Sequence, residues 1–474
     1  MANENSAASR AAAEPESPAA LAAGMTSDKA VRALIPLLVT FVLGTLCLQG
    51  FNLVFLQVGK DVGAAGQASL ITAIPGIVLG IVCFVYGSLG DFVSLKKLVT
   101  VGIITLFIGS VFGFVAGYFF TPNIWIVIIA RVLQTAGEQV AGSAFLVVAT
   151  KYLKNSLKVI FFGLFTAAYQ LSAAIGVFAA GLFSSIHWAY LFLIPTVTIL
   201  LLPILLKNLP DASRSGEKID ALGFTIFGLG AAFLALFFSY NAWWMMIVAI
   251  ALFVGFAFYI HVAKDPFVTP EFFKNTKWLI GTLYVLLFFF PNYYFSPMFN
   301  YVATNIYKIS TNEASHFIVW GFIIAAVVGT TSGWIVDKIG RNVALMTSGT
   351  LMALGFILGG LLINHGVWAM TFAACVFYAG AGLLYSPIVS LVLGTLPAEE
   401  SGRGVGMNDL AINTTASIGI AIMGTISSTN AFAGFKLTGM SGAAANASGI
   451  YLGAAAVIIV ALLVYLFTQK KVQE

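Results

Sequence analysis

Arg131, Gln134 and Glu138 occupy positions i, i+3 and i+7 of an apolar stretch, residues 122 to 150, that carries no other charge. At 100° per residue that spacing stacks the three on one helix face, Arg131 and Glu138 within about 20° of each other and Gln134 about 60° from Arg131. An ionisable side chain inside a membrane span costs at least about 2.5 kcal/mol, so its presence points to a function. Arg131 and Glu138 are two turns apart, roughly 10.5 Å of rise, and Gln134 between them is placed to reach both. The pattern reads as a polar relay. Glu138 is the candidate proton carrier, because a low dielectric favours the neutral form of a carboxyl group while a nearby cation or an opened water path favours ionisation. The alternative is a buried structural Arg/Glu pair holding helices together.

Asp409 is the next candidate, in Gly404-Val-Gly406-Met407-Asn408-Asp409-Leu410-Ala-Ile-Asn413, with Asn413 four residues on and facing the same way. It is expected near the cytoplasmic start of a helix, as a proton carrier, a cation-binding group or a first-turn cap. Uncharged residues complete a candidate substrate cavity: Asn413; Gln49 and Asn52, three apart; Tyr169 and Gln170; and Asn292 and Tyr293 within Pro291-Asn292-Tyr293-Tyr294-Phe-Ser-Pro297. Prolines there can break a helix beside rings that stack on a planar solute, although tyrosines near a membrane surface also form an interfacial belt.

The elements that carry these residues follow from composition. The chain has 474 residues, of which 60% are hydrophobic and 9% charged. Its mean hydropathy is +0.98. Apolar blocks of roughly 19 to 28 residues are long enough to cross about 30 Å of hydrocarbon as helices, and they lack the alternation of a lipid-facing barrel strand. They fall near 34–58, 68–90, 98–120, 122–150, 157–185, 188–206, 221–239, 242–263, 278–302, 314–336, 343–364, 367–393, 404–428 and 449–468. The expected class is an all-α integral membrane protein with 14 transmembrane helices. An even number places both ends on one side. Of the 23 basic residues, Lys60, Lys308 and Lys436 fall in loops on one side, Arg131 lies within a span, and the rest lie on the other, which is therefore cytoplasmic.

That topology accounts for the net charge of +5 without nucleic acid. Cys47, Cys83 and Cys375 lie within spans and read as small packing residues. Residues 1–33 are expected to form a disordered cytoplasmic tail, and 469–474 a second one. No G-x-x-x-x-G-K-[ST] run is present, so transport would draw on an ion gradient or the solute's own gradient. No metal or other cofactor is expected, and neither is an enzymatic reaction.

A repeat divides the chain. Between the second and third helices it reads Gly87-Ser-Leu-Gly90-Asp91-Phe92-Val93-Ser94-Leu95-Lys96-Lys97, and between the tenth and eleventh Gly333-Trp-Ile-Val-Asp337-Lys338-Ile339-Gly340-Arg341. The copies are eight helices apart, which parses the chain into an N-terminal six-helix bundle (34–206), two inserted helices with linkers (207–277) and a C-terminal six-helix bundle (278–468). Two similar halves around a midplane site are what alternating access requires. Gly87, Asp91, Lys97, Gly333, Asp337, Gly340 and Arg341 would form a cytoplasmic gate in which carboxylates and helix ends latch the halves.

These loops resemble the pattern G-x-L-a-D-r-x-G-r-k of the major facilitator superfamily, with Phe92 and Ser94 departing from it. Arg131-Val-Leu-Gln134-Thr135-Ala136-Gly137 is similar to the R-x-x-Q-G motif of the same family's fourth helix. Ile186-His187-Trp188-Ala189-Tyr190-Leu191-Phe192-Leu193-Ile194-Pro195 and Asp265-Pro266-Phe267-Val268 resemble the Gram-positive tetracycline/proton antiporters, members of the fourteen-helix drug/proton antiporter group. The resemblance implies the major facilitator fold and proton-coupled export of an amphipathic, aromatic drug or antiseptic by a monomer in a bacterial plasma membrane. Helix five departs, reading Ser172-Ala-Ala-Ile-Gly176-Val177-Phe-Ala-Ala-Gly181 where the antiporter motif has a proline, and offering Gln170 and Ser172 where tetracycline exporters carry a glutamate. Import of a nutrient such as a vitamin therefore stands as the alternative, and a sensor or scaffold that transports nothing as a third.

Overall fold

The computed structural model describes residues 15, 20–21, 24–89, 93–120, 123–211, 220–396 and 401–473, and every regular element among them is helical. Fourteen helices are long and apolar enough to cross a membrane. They are α1 (Ser27–Asp61), α2 (Leu70–Leu89), α3 (Leu95–Phe119), α4 (Ile124–Tyr152), α5 (Asn155–Ser184) and α6 (Trp188–Asn208). After them come α7 (Ala221–Tyr240), α8 (Trp243–Val262), α9 (Thr276–Asn305) and α10 (Thr311–Ile339). The last four are α11 (Arg341–Leu361), α12 (Val367–Leu393), α13 (Ser401–Thr429) and α14 (Gly442–Gln473).

Helix starts sit where short polar side chains can take an unpaired backbone N–H. The Thr26, Ser94 and Asn123 side chains accept from Lys29, Lys97 and Ile126, and Ser310 with Glu313 forms a reciprocal cap on α10. Several boundaries differ from expectation, among them the start of α14, at Gly442 rather than 449. Capped by Thr26, α1 begins at Ser27, so residues 27–33, expected in the tail, are helix. At the other end α14 runs on to Gln473, through most of the expected second tail. In between, α13 begins at Ser401 rather than 404.

The first six helices and the last six form two bundles. In the first, α1 packs against α4, α5 and α6, and α3 against α4; in the second, α11 packs against α12 and α14, and α10 against α12. The bundles meet along two seams, α5 on α10 and α2 on α13, while α7 lies across α2 and α13 with α8 outside it. Small residues bring the seams together: a Cβ added to Gly181 of α5 would strike Ser315 of α10, and one added to Gly76 of α2 would strike Ser417 of α13.

Two spans depart from the regular α-helix. The proline-bearing α9 breaks into Thr276–Phe289, a short 3-10 turn at Asn292–Tyr294, and Phe295–Asn305, as Pro291 leads one to expect. By contrast, α6 starts with a 3-10 segment of 14 residues, Trp188–Leu201, well beyond the usual length of such turns.

Candidate functional site

Arg131 and Gln134 are fully buried and Glu138 is 2% exposed, so the stripe on α4 turns into the first bundle. One guanidinium N–H of Arg131 donates to Gln134 Oε1, and Gln134 Nε2 donates to Ser110 Oγ on α3 at 3.2 Å. The guanidinium carbon stands 4.5 Å from the centroid of the Phe51 ring on α1, a cation–π contact in a dry environment. Close to both charged groups lies Cys47, whose thiol donates to the Leu191 carbonyl at 2.9 Å. On Glu138 presses Gly44 of α1, where an added Cβ would lie 2.5 Å from Glu138 Cβ and 3.0 Å from Oε2. The result is a closed chamber bounded by α1, α3, α4 and α6.

The expected relay through Gln134 is not closed. Both ends of its amide are spent, one on Arg131 and one on Ser110, so it ties α4 to α3 instead of bridging to Glu138. Arg131 Nε and its other terminal nitrogen, Thr135 Oγ1 and Glu138 Oε2 are buried without a hydrogen-bond partner. Unsatisfied buried polar atoms of this kind are costly.

The second centre lies between the bundles. Asp409 sits two turns inside α13, past the first turn, so the helix-cap reading is corrected. Its Oδ1 accepts from the Tyr385 hydroxyl of α12 at 3.2 Å, and its backbone carbonyl accepts from Asn413 Nδ2 at 2.8 Å. Across the seam Tyr169 of α5 meets Tyr293 of α9 hydroxyl to hydroxyl. The charge of Asp409 acts on Tyr385, Tyr293, Tyr169 and Cys83 of α2. Glu138 acts on Tyr169 and Cys83 as well. Asp409, Tyr169, Tyr293 and Cys83 are half-buried and Tyr385 is 50% exposed.

The other expected cavity residues are less engaged. Asn52 Nδ2 donates to Gln49 Oε1 at 3.5 Å, both buried in α1, and Asn292 is buried at the turn that breaks α9. The Gln170 side chain lies outside the described residues, as do the surroundings of Gly87 and the whole of Asp91. Of the remaining gate residues, Lys97, Gly333, Asp337 and Gly340 are exposed, and Arg341 donates to the Ser390 carbonyl of α12 at 3.5 Å. Gly340 has φ +83°, a conformation that favours glycine at the turn into α11.

Cross-bundle bonds gather at the opposite face from the chain ends. Asn300 Nδ2 donates to the Leu53 carbonyl at 3.1 Å, Thr311 Oγ1 to Gln57 Oε1 at 3.1 Å, and Lys60 Nζ to Asn305 Oδ1 at 3.4 Å. The Phe178 and His316 rings meet there too, 4.9 Å apart. α10 carries an exposed stripe along its whole length, at His316, Trp320, Ile323, Val327, Thr330, Trp334 and Asp337. The cross-bundle bonds close the seam on the face away from the chain ends.

Ser110, Phe51, Cys83 and Tyr385 were not among the residues expected from sequence. Tyr385 carried a signal, a phenol in an apolar span two residues before Pro387.

Two helical halves with a polar, partly accessible centre on the seam between them define a multi-pass membrane transporter. The chain belongs to the Major Facilitator Superfamily, whose family model matches residues 37–263 and 281–474. Among its relatives, the riboflavin transporter RibZ of Clostridioides difficile is 21% identical over 398 residues, covering 82% of this chain and 86% of that one. The multidrug resistance protein Stp of Mycobacterium tuberculosis is 20% identical over 379 residues, covering 77% and 70%. The crystal structure of the POT family transporter PepTSo superposes with a TM-score of 0.68 at 12% identity, covering 93% of this chain and 98% of that one.

Proposed function

We propose that this chain is a proton-coupled exporter of amphipathic, aromatic compounds that works by alternating access in a bacterial plasma membrane, as a monomer with both ends in the cytoplasm. The observation that carries the reading is Glu138, a buried carboxyl with one oxygen unpartnered, sharing a closed chamber with Arg131 and acting on Tyr169 and Cys83 of the seam. A proton on Glu138 is held in the dry chamber. When the bundles rock, water reaching the chamber or a shift of Arg131 toward Glu138 releases it. Arg131 and Gln134 tune that exchange. In the conformation described, hydrogen bonds close the face away from the chain ends, which supports reading this as the cytoplasm-facing state. The repeated Gly…Asp loops would latch the face that carries the ends in the opposite state, and basic residues concentrated on it support its cytoplasmic placement. The multidrug resistance relative agrees with the substrate class.

A second reading has a specific observation behind it: the relative that is a riboflavin transporter, together with a fifth helix that lacks the antiporter motif's proline. In that case the same fold carries a vitamin inward. Liposomes holding a pH-sensitive dye separate the two. Solute added on one side of purified protein should drive protons the opposite way, and Glu138→Gln should abolish the proton movement. Solute flux with no proton movement in the wild type would support the importer or facilitator.

A further inference from the structure

On the second bundle, at the face that carries the chain ends, α11 and α14 leave a groove open to the outside of the molecule. Two adjoining, open-sided concavities of about 480 and 520 Å³ share Asn342 and Val343. One runs up α11 past Met346, Thr347 and Thr350, with Gln469 of α14 on its opposite bank, and the other continues down to Gly340 and Arg341 at the helix start. From Arg341 to Thr350 the helix rises about 13 Å, close to the hydrocarbon depth of one leaflet. The floor is polar where the Tyr465 hydroxyl of α14 donates to Asn342 Oδ1 at 2.9 Å. Behind the groove the two helices are in contact, since a Cβ added to Gly349 would strike Leu462 and one added to Gly360 would strike Leu452.

The bank on α11 is of two kinds. Val343 is 55% exposed and faces acyl chains in a membrane. Thr347 and Thr350 are exposed on the same stripe, and neither hydroxyl returns to a carbonyl of the preceding turn, as those of Thr330, Thr331 and Thr371 do on the neighbouring helices. Hydroxyls turned toward lipid suit a ligand that brings acceptor oxygens to that depth. At the mouth, the described charged residues on the ends of α10, α11 and α14 are Lys338, Arg341, Lys470 and Lys471 against Asp337. Lys338 Nζ stands 6.0 Å from the centroid of the exposed Trp334 ring, a pairing that belongs at headgroup level. Arg341 makes one long bond, to the Ser390 carbonyl at 3.5 Å, which leaves guanidinium donors over for an anion.

We infer that the groove between α11 and α14 binds an anionic glycerophospholipid. Its phosphate is held by Arg341 with Lys338 and the lysines of α14, its ester oxygens meet Thr347 and Thr350, and one acyl chain lies along Val343 and Met346. A zwitterionic lipid would fit the same walls without bringing net charge to the basic mouth, where each Lys or Arg is worth about fivefold in affinity for an anionic headgroup. The site lies on the outer surface of one bundle, so it is independent of which solute the chain carries and of what drives it.

The test is native mass spectrometry of the full chain in detergent, titrated with phosphatidylglycerol or with phosphatidylcholine of the same acyl chains. The first phosphatidylglycerol should bind about tenfold or more tightly than the first phosphatidylcholine. Arg341→Gln should weaken phosphatidylglycerol about fivefold and Lys338→Gln added to it further, with phosphatidylcholine unchanged. Lys207→Gln, which removes an exposed charge at the end of α6 in the first bundle, should change neither. Thr350→Trp fills the groove from an exposed position and should weaken both lipids while the unfolding temperature stays near wild type. Equal affinity for the two lipids would overturn the inference. An equal loss in Lys207→Gln and Arg341→Gln would do so too, as the mark of diffuse attraction to a basic face. Glycerol 3-phosphate displacing phosphatidylglycerol at equal concentration would show that the groove holds no lipid chain, and that also would overturn it.

Discussion

The chamber around Arg131 and Glu138 and the cluster around Asp409 are both polar, both within the membrane span and both built on a carboxylate, yet they are made by opposite means. The chamber belongs to one bundle. It is walled by α1, α3, α4 and α6, its charged groups are at most 2% exposed, and Gly44 is pressed onto Glu138. The cluster takes residues from both bundles, its side chains are partly accessible, and Tyr385 keeps half its surface open. A sealed site inside one rigid half can hold a proton without exposing it to water. A shared site on the seam meets a large solute and feels every movement of the halves. Tyr169 and Cys83, acted on by both carboxylates, are where the two can sense each other.

Built so differently, the two centres should respond differently to added or removed volume. The largest effect is expected at Gly44→Val, where even the first carbon falls 2.5 Å from Glu138 Cβ. The rigid wall must shift, at a cost of about 1–3 kcal/mol. A lower unfolding temperature and a drop in turnover should follow, the first read by thermal shift in detergent and the second by flux in liposomes. Tyr385→Ala removes far more atoms yet should leave the unfolding temperature near wild type, because the ring is half exposed, and should instead raise the solute KM by about tenfold with turnover less affected. A large loss of stability there would mean that the seam is packed like the chamber. The smallest effect is expected away from both centres. Asn300→Ala loses its bond to the Leu53 carbonyl, worth about 1 kcal/mol, and should shift the population modestly toward opening on that face. Distances between spin labels on the ends of α1 and α9 would show it.

How much of the molecule is readable from its sequence depends on what a residue's meaning requires. The fourteen spans were legible because length and apolarity suffice to define them, and the break in α9 because Pro291 cannot supply the N–H that a continuous helix needs. The stripe Arg131, Gln134, Glu138 was legible because all three lie on one helix. Which partner Gln134 chooses was not, since Ser110 arrives from another helix. The depth of Asp409 was misjudged: the observed start of α13 at Ser401 places it two turns into the helix. Tyr385 was passed over because a phenol in an apolar run, even two residues before a proline, does not show which neighbours it faces until its helix is packed against them. The long 3-10 segment of α6 has no sequence pattern to which we can attribute it.

The most direct test of proton coupling at Glu138 is proton uptake on substrate exchange by Glu138→Gln. Purified wild type and variant, reconstituted in parallel into liposomes with a pH-sensitive dye, are given an imposed proton gradient and an aromatic cation such as ethidium. Proton movement opposite to solute movement is expected in the wild type and none in the variant, with the variant still binding the solute. Full-rate, proton-coupled transport by Glu138→Gln would contradict the assignment and leave the chamber as a structural joint of the first bundle.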